Sequence, residues 1–424
     1  MDLFEIQGGK KLSGEIQIPG AKNATLPMLC ASLLTKEKCV FKNVPEISDV
    51  AVLLDVFKKI GVKVNRDLSK KIVEIEAKNI NPEKLKKCDE LKKLRATILL
   101  LGPILARCGK CEIFQPGGDI IGTRSNEIHM GGFKVLGGHV LRDDEKISLE
   151  FKKNKFDNKR ILFSEASVTG TENIAMFCAG VEDEVEIFFS AAEPHVCATL
   201  KMLHHMGTDI KGIGTHYLKI KGNKKLKGGI FEIPPDGILV GTYAIAGAIT
   251  KGKLKINNVH HSELFSFYGA LKRIGVEFEI KNNFLNILPT KKLEAIPKIQ
   301  TAIFPGFPTD LQSLVGVLLT QCKGCSMIFE TLFENRFTYL YELEKMGAKI
   351  EILNAHQAKI FGVTKLHGAN VQSWDLRAGA AMVLAGLIAD GKTIVSNVSY
   401  INRGYENFVK NLNNLGAKIK QFSA

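Results

Sequence analysis

The sequence predicts an α/β protein with two similar domains, each made of three copies of one strand-and-helix unit. Strand-like and amphipathic helical segments alternate along the whole chain, as is typical of α/β layers. A short phrase, an apolar helix end followed by glycine and an alternating strand, occurs six times, at Gly61, Gly137, Gly207, Gly275, Gly347 and Gly416. The spacings of 76, 70, 68, 72 and 69 residues indicate one supersecondary unit copied six times.

The first and last copies show the same order of elements. In the first copy we predict a strand over 15–18, a helix over 22–34, a strand over 39–41, a helix from Ser48 and a strand over 62–64. In the last copy we predict a helix after Asp375, a strand over 393–395, a helix from about Asn402 and a strand over 417–419. Each copy is therefore expected to have the order β-α-β-α-β.

The composition is that of an ordinary globular protein. Of 424 residues, 45% are hydrophobic and 24% are charged, and no uncharged apolar run is long enough to span a membrane. The first residues lack the basic flank and apolar stretch of a signal peptide. Nine cysteines are scattered among the helices and strands, as is typical of reduced thiols. We therefore expect a cytoplasmic protein.

The net charge of +14 raises the alternative of nucleic-acid binding. The lysines are spread over every copy, and no arginine-rich tail or basic stripe with interleaved aromatics is present. The charge pattern therefore favours small anionic ligands, and we expect neither a nucleic acid nor a membrane as partner.

Cationic side chains collect at the starts of helices. There the free N–H groups and the helix dipole already carry positive charge, so an added cation is locally unfavourable. An anionic ligand explains such an arrangement, because phosphate and carboxylate groups bind well at helix N-termini. The cations in question are Lys22, Arg95, Arg124, Arg336, Arg377 and Arg403.

The segment Pro116–Arg124 reads Pro-Gly-Gly-Asp-Ile-Ile-Gly-Thr-Arg. Glycines allow tight turning and close approach of the backbone to a ligand. Asp119 supplies an acid, and Arg124 supplies an anion contact five residues later. The loop, over about 114–126, is a candidate lid.

Two Cys-x-x-Cys pairs resemble half of a zinc site, but the repeats give a simpler interpretation. Cys108 with Cys111, and Cys322 with Cys325, fall where the other copies have a helix-to-strand turn. We therefore expect neither a metal nor any other cofactor.

Seven separated motifs, in order and in register, resemble the UDP-N-acetylglucosamine enolpyruvyl transferases. The motifs are Pro19–Ala24, Leu94–Ala96, Pro116–Arg124, Phe307–Asp310, Phe333–Arg336, Asp375–Arg377 and Arg403–Glu406. The resemblance implies inward-packed helices, as in an inside-out α/β barrel. It also implies one domain over 22–229, a second over 1–21 plus 230–424, and an active site in the cleft between them.

The resemblance implies transfer of the enolpyruvyl group of phosphoenolpyruvate to the 3-hydroxyl of UDP-N-acetylglucosamine, with release of phosphate. This is the first committed step of peptidoglycan synthesis. By matched position, the catalytic residues would be Asp119, Asp310, Lys22 and Arg403. Phosphoenolpyruvate would be bound by Lys22, Asn23, Arg124, Arg336, Arg377 and Arg403. UDP-N-acetylglucosamine would be bound by Asn23, Arg95, Arg124, Ser125, Asn126, Glu127, Ile128, Ser167, Val168, Asp310 and Leu332.

The chain departs from the family pattern at several positions. Asp119 stands where the lid usually has cysteine, Ser125–Glu127 replaces Pro-Val-Asp, and Thr169 replaces glycine. A carboxylate is a poorer nucleophile than a thiolate, so we predict that fosfomycin, which alkylates the lid thiol in this family, leaves this chain active. For Asp119 to donate a proton, a closed and desolvated lid would have to raise its pKa.

Two other functions are compatible with the same fold. A shikimate-3-phosphate enolpyruvyl transferase would share the fold and donor, but its signature has Lys-Ser where this chain has Lys22-Asn23. A binding protein without catalytic activity on the same scaffold would be expected to have lost the arginines or Asp310, which are all present.

Overall fold

The computed structural model describes residues 2–118, 121–152 and 155–422, and these fall into two compact units. The C-terminal unit contains residues 2–19, 121–123 and 235–422. The N-terminal unit contains the described residues of 20–118 and 124–234. Each unit has its own hydrophobic core.

The described residues form 23 strands and 12 α-helices. The strands are β1 Leu3–Gln7, β2 Ser13–Gln17, β3 Lys38–Lys42, β4 Lys63–Asp67, β5 Ile72–Glu76, β6 Lys110–Phe114, β7 His139–Arg142, β8 Lys146–Glu150, β9 Arg160–Leu162, β10 Glu184–Phe188, β11 Asp209–Lys211, β12 Tyr217–Lys221, β13 Gly229–Glu232, β14 Lys253–Asn257, β15 Phe278–Lys281, β16 Phe284–Ile287, β17 Lys298–Gln300, β18 Gly324–Phe329, β19 Lys349–Asn354, β20 Gln357–Gly362, β21 Asn370–Gln372, β22 Lys392–Ser396 and β23 Lys418–Phe422. The helices are α1 Lys22–Ala31, α2 Ser48–Lys59, α3 Leu101–Cys108, α4 Glu127–Val135, α5 Val168–Ala179, α6 Pro194–His205, α7 Gly237–Ile249, α8 Phe265–Ile274, α9 Gln312–Leu319, α10 Thr338–Lys345, α11 Leu376–Ile388 and α12 Phe408–Asn414.

The strands of the described chain form six sheets that share one topology. The N-terminal unit has the orders β13-β3-β5-β4, β6-β8-β7 and β9-β10-β12-β11. The C-terminal unit has β2-β14-β16-β15, β17-β18-β20-β19 and β21-β22-β1-β23. In every four-stranded sheet the first pair is parallel and the other pairs are antiparallel. The predicted α/β repeat is confirmed.

Three strands, β13, β2 and β1, pair with strands that lie far from them in the sequence or belong to another copy. The first copy takes its parallel strand from β13, because Cys39 faces Gly229. The fourth copy takes its parallel strand from β2, which lies beside β14. β1 lies between β22 and β23 and supplies the fourth strand of the sixth copy.

The first helix of each copy packs inward. α1 and α3 each contact α5 in the N-terminal unit, whereas α7, α9 and α11 contact one another in the C-terminal unit. In α11 every residue from Leu376 to Leu387 is buried, and in α7 every residue from Leu239 to Ile249 is buried. A helix that is buried around its whole circumference belongs to a core, so the inward packing is confirmed.

The six repeated glycines share one helix-ending geometry. All have positive φ, from 90° to 113°. In the first copy the N–H of Gly61 donates to the carbonyl of Lys58, and that of Val62 donates to Phe57. The same pair of bonds ends α4, α6, α8, α10 and α12. This is the Schellman motif, in which glycine adopts the left-handed conformation without a steric penalty.

The structure corrects three predicted details. The first five copies each have a further antiparallel strand, such as β5, because a short turn after the third strand folds the chain back onto its sheet, whereas β1 takes this place in the sixth copy. The helix predicted over 22–34 ends at Ala31 and continues as a 3₁₀ turn. The helix predicted from about Asn402 begins at Phe408, because Asn407, with φ of 50°, interrupts it.

Both Cys-x-x-Cys pairs lie at helix-to-strand turns, as predicted. α3 ends at Cys108 and β6 carries Cys111, while Cys322 follows α9 and Cys325 is the second residue of β18. All nine cysteines are free thiols. No helix in the described part of the chain has the length and apolar character needed to cross a membrane.

Alanine substitution is expected to have opposite effects at Gly61 and Gly131. Gly61→Ala forces a left-handed φ of 96° on a residue with Cβ and should destabilise by about 1–2 kcal/mol. Gly131 is an exposed residue inside α4 with open space around its Cβ position, so Gly131→Ala should stabilise by about 0.5–1 kcal/mol. Urea unfolding midpoints measure both changes, and shifts of the same sign would contradict the assignment.

Candidate active site

Three predicted site residues meet in the C-terminal unit around one carboxylate. Arg336 Nη2 donates to Asp310 Oδ1 at 2.7 Å. Arg377 donates to Asp310 Oδ2 from Nη2 at 3.1 Å and from Nε at 3.3 Å. The arginine side chains are 6% and 4% exposed, whereas Asp310 is 25% exposed. The carboxylate is thus held by two buried guanidiniums and keeps an accessible edge.

The elements around this cluster hold its side chains in place. Asp310 lies in a 3₁₀ turn that leads into α9. Asp375 caps α11 by accepting the N–H groups of Arg377 and Ala378 at 2.7 and 2.9 Å. The Arg377 guanidinium lies 5.5 Å from the ring centre of Tyr405, a cation–π distance.

Two buried guanidiniums share the carboxylate of Asp310 as their hydrogen-bonding partner. Burial alone would raise the pKa of Asp310, but Arg377 and Arg336 outweigh it and hold that pKa well below its usual range. Arg336 Nε and Arg377 Nη1 are buried and have no hydrogen-bond partner among the described residues. These two unused guanidinium donors suit a further anion.

Lid residues 121–123 belong to the C-terminal unit. The N–H of Thr123 donates to Glu334 Oε1 at 2.6 Å, and the N–H of Asn335 donates to the carbonyl of Ile121 at 3.1 Å. A Cβ on Gly122 would lie 2.4 Å from Glu334 Oε2, so this contact requires glycine. This part of the loop is therefore fixed beside the segment that carries Arg336. The predicted acid, Asp119, lies outside the described residues.

In the N-terminal unit, Lys22 begins α1 and forms an ion pair with Asp49 in the first turn of α2. Lys22 Nζ lies 2.7 Å from Asp49 Oδ2, and both side chains are nearly buried. Asn23 follows in α1 and is half-buried. This pair places a cation where two helices begin.

The predicted nucleotide-binding arginines of this unit lie close together. Arg95 Nη2 donates to the carbonyls of Arg124 and Ser125 at 2.6 and 3.4 Å. Burial, and then the charge of Arg124, lower the pKa of Arg95 to about 10. Gly118 has φ of 122°, and a Cβ there would lie 2.9 Å from both arginine side chains. The glycine therefore allows the loop backbone to pass close to two cations.

A buried histidine orients a hydroxyl next to Ser167 and Val168. Asn173 Nδ2 donates to His129 Nδ1 at 2.9 Å, so His129 Nε2 carries the proton and donates to Thr169 Oγ1 at 3.1 Å. Burial, and then the charge of Arg95, lower the pKa of His129 to about 3. Ser167 caps α5 by accepting the N–H of Gly170.

The remaining predicted site residues lie at the edges of these two groups. Asn126 directly precedes α4, which begins with Glu127 and Ile128, and the Asn126 side chain makes no capping hydrogen bond. Glu127 accepts a hydrogen bond from Arg142 Nη1. In the C-terminal unit, Leu332 is 38% exposed. Arg403 ends a 3₁₀ helix and is half-buried.

Two residues were missed by the sequence analysis as partners of the site. Neither Asp49, the partner of Lys22, nor Glu330 was singled out by the sequence analysis. The sequence carries no signal for Glu330, because Met327, Ile328 and Phe329 are all apolar; only in the structure do Ser326, Ile328 and Glu330 face the core. An acid at a core-facing strand position is unusual and needs several donors.

Comparisons place the chain among known proteins. A family model described as EPSP synthase (3-phosphoshikimate 1-carboxyvinyltransferase) matches residues 6–412. Relatives from Campylobacter hominis and Finegoldia magna, each named UDP-N-acetylglucosamine 1-carboxyvinyltransferase, are 40% and 38% identical. Coverage is 100% of this chain and of the relative in the first case, and 99% of each in the second.

Two solved structures have the same fold. The enolpyruvyl transferase NikO from Streptomyces tendae superposes with a TM-score of 0.88 at 22% identity, covering 100% of this chain and 99% of that one. An EPSP synthase from Acinetobacter baumannii superposes with a TM-score of 0.78 at 17% identity, covering 100% of both chains. At these identities the likeness concerns the fold alone.

The buried neutral His129 predicts a pH-dependent stability. Its pKa is about 3 when folded and near 6.5 when unfolded, so between these values the unfolded chain binds more protons and stability falls as pH falls. Between pH 7.5 and 5.0 the unmodified chain should lose about 2 kcal/mol more than His129→Gln. Urea unfolding at pH 7.5 and 5.0 measures this difference. Exposed His139→Gln is the control, and parallel losses in all three proteins would contradict a neutral buried imidazole.

Proposed function

Because the chain belongs to the EPSP synthase family of enolpyruvyl transferases, we propose that it transfers the enolpyruvyl group of phosphoenolpyruvate to UDP-N-acetylglucosamine. The sugar 3-hydroxyl oxygen bonds to C2 of phosphoenolpyruvate while C3 takes up a proton. The tetrahedral intermediate then loses a C3 proton and phosphate, which restores the double bond. The product would commit the sugar to peptidoglycan synthesis, and we place the reaction in the cytoplasm.

The observation that carries this proposal is the unused donor capacity of Arg336 and Arg377. Phosphoenolpyruvate is a small molecule with both a carboxylate and a phosphate, so binding it needs several fixed cations. Planar guanidiniums suit both groups better than ammonium groups do. Arg336 Nε and Arg377 Nη1 are buried donors that an anion of this kind would satisfy. Arg403 completes the proposed cationic set of this unit.

In the N-terminal unit we assign the other substrate contacts. Lys22, Asn23 and Arg124 would hold phosphoenolpyruvate, with Asn23 also contacting the sugar. The nucleotide sugar would be bound by Asn23, Arg95, Arg124, Ser125, Asn126, Glu127, Ile128, Ser167 and Val168. The proximity of Arg95 and Arg124 supports this assignment, because a diphosphate requires concentrated positive charge.

Asp310 would be the general base for the sugar hydroxyl. In the described arrangement it is a weak base, because two guanidiniums hold its pKa low. When Arg336 and Arg377 donate to an anionic substrate instead, this stabilisation weakens and the pKa of Asp310 rises. Base strength would thus depend on bound substrate. Leu332 would line the sugar site, and Asp119 would supply the proton to C3.

The acceptor separates this proposal from its alternatives. Phosphate release from phosphoenolpyruvate should require UDP-N-acetylglucosamine and should not occur with shikimate 3-phosphate. Turnover with the second acceptor alone would favour the sister activity. Salt-dependent DNA binding without turnover would favour a binding protein.

Asp310→Asn is expected to change turnover and anion binding in opposite directions. Loss of the base should lower kcat by about 10²–10⁴-fold. Loss of its negative charge should tighten binding of inorganic phosphate by about tenfold, which equals about 1.4 kcal/mol. Steady-state kinetics and calorimetry measure the two effects. Asp390→Asn makes the same change at an exposed surface acid and should alter neither. Undiminished turnover in Asp310→Asn would contradict the base assignment.

Fosfomycin should leave the unmodified chain active, with no mass added to the lid peptide. Asp119→Cys should become inactivated over time and carry a covalent adduct, because a thiolate attacks the epoxide. Asp119→Ser, which lacks both the carboxylate and the thiol, is the control. Time-dependent inactivation of the unmodified chain, with an adduct at Asp119, would refute the prediction.

A further inference from the structure

Glu330 is a fully buried carboxylate directly after β18 in the C-terminal unit. It accepts four hydrogen bonds. Oε1 accepts from Thr301 Oγ1 at 2.9 Å and from the N–H groups of Leu332 and Phe333 at 2.9 and 3.3 Å. Oε2 accepts from Thr309 Oγ1 at 2.8 Å.

These donors belong to segments that carry the site. Thr309 is the chain neighbour of Asp310 and shares its 3₁₀ turn. Leu332 and Phe333 open the segment that leads to Arg336, and the Phe333 ring lies 5.3 Å from the Arg336 guanidinium. Glu330 Oε2 therefore binds the turn that carries Asp310, through Thr309. Glu330 Oε1 binds the segment that leads to Arg336, through the N–H groups of Leu332 and Phe333.

We propose that Glu330 is a positioning residue of the transfer reaction, which fixes the segment of Asp310 and the segment of Arg336 in one arrangement. It acts through these segments and, being fully buried, contacts no substrate. This inference rests on the proposed function, which identifies the reaction. The hydrogen bonds of Glu330 do not depend on which reaction the chain catalyses.

A carboxylate suits this place better than other side chains. An ionised carboxylate only accepts, so it can take all four donors without bringing a donor of its own into the buried site. A buried acceptor whose donors come from separate segments gives those segments a fixed separation. Misplacement of reacting groups by about 1 Å can lower the reaction rate about 10²-fold. Holding Asp310 at a fixed position relative to Arg336 should therefore raise the rate.

The charge of Glu330 also acts on the arginine. Burial alone would lower the pKa of Arg336, but the carboxylates of Asp310, Asp375 and Glu330 raise it. Of these three, Asp310 is the proposed base. Glu330 would therefore keep a stabilising negative charge near Arg336 when that arginine donates to substrate.

Thr309 offers the sharpest test, because its hydroxyl is the single bond from Glu330 to the Asp310 turn. Thr309→Val keeps the shape and loses the donor, and its kcat should fall at least about tenfold. Thr309→Ser keeps the donor and should stay within about threefold of the unmodified chain. Thr320→Val, which removes a buried hydroxyl remote from Glu330 in the same unit, is the matched control and should leave kcat unchanged.

The melting temperature of each variant is measured beside its kcat, so that a loss of activity can be distinguished from a loss of stability. The positioning role is supported if kcat falls in Thr309→Val and is restored in Thr309→Ser, while Thr309→Val melts at the same temperature as the Thr320→Val control. Undiminished kcat in Thr309→Val, or an equal loss in Thr309→Ser, overturns it. A role confined to stability would follow the melting temperature and not the presence of the hydroxyl.

Hydrogen exchange of the peptide over 331–336 provides a readout that does not depend on turnover. Glu330→Gln keeps one oxygen acceptor, whereas Glu330→Ala removes both, so exchange at Leu332 and Phe333 should be at least about tenfold faster in Glu330→Ala than in Glu330→Gln. Equal exchange in the two variants would overturn the proposal. If the unmodified chain shows no turnover with UDP-N-acetylglucosamine, the proposed function fails, while this comparison still tests the role of Glu330.

Discussion

The structure of the site depends on one carboxylate in the C-terminal unit, Asp310, which is held by two buried guanidiniums. Buried ion pairs are costly unless hydrogen bonds satisfy both partners, and here two guanidinium donors remain unused. The surrounding structure keeps this arrangement in place, through the Asp375 cap on α11, the Tyr405 ring beneath Arg377 and the Glu330 acceptor. An anionic substrate would complete the cluster and release the base.

The scaffold and the site place different demands on the sequence. All six copies end their second helix with the same glycine geometry and build their sheets in the same order. Such uniform elements give rigid helix starts at equivalent positions. The copies differ in the residues at those starts, so Lys22 and Arg377 occupy comparable places in α1 and α11 but have different partners. Function in this fold therefore arises from the loops that differ between equivalent elements.

The repeat could be predicted because its signal is local. Glycine at a left-handed helix end depends only on nearby backbone, whereas the pairing of β3 with β13 joins residues about 190 positions apart and leaves no local trace. The site cations were predicted from the family motifs. Lys22 and Arg377 lie in the first turns of α1 and α11, in agreement with the helix-start pattern, whereas Arg403 ends a 3₁₀ helix and lies before α12. Their partners were harder to predict, because Asp49 and Glu330 acquire meaning only once the fold brings donors to them. The interruption at Asn407 likewise depends on a backbone conformation that many residues avoid.

The most direct measurement is a crystal structure of the unmodified chain with UDP-N-acetylglucosamine and inorganic phosphate bound. We expect anion oxygens within about 3 Å of Arg336 Nε and Arg377 Nη1, with at least one guanidinium bond to Asp310 lengthened or lost. An anion bound elsewhere, with both arginines still held only by Asp310, would contradict the central claim.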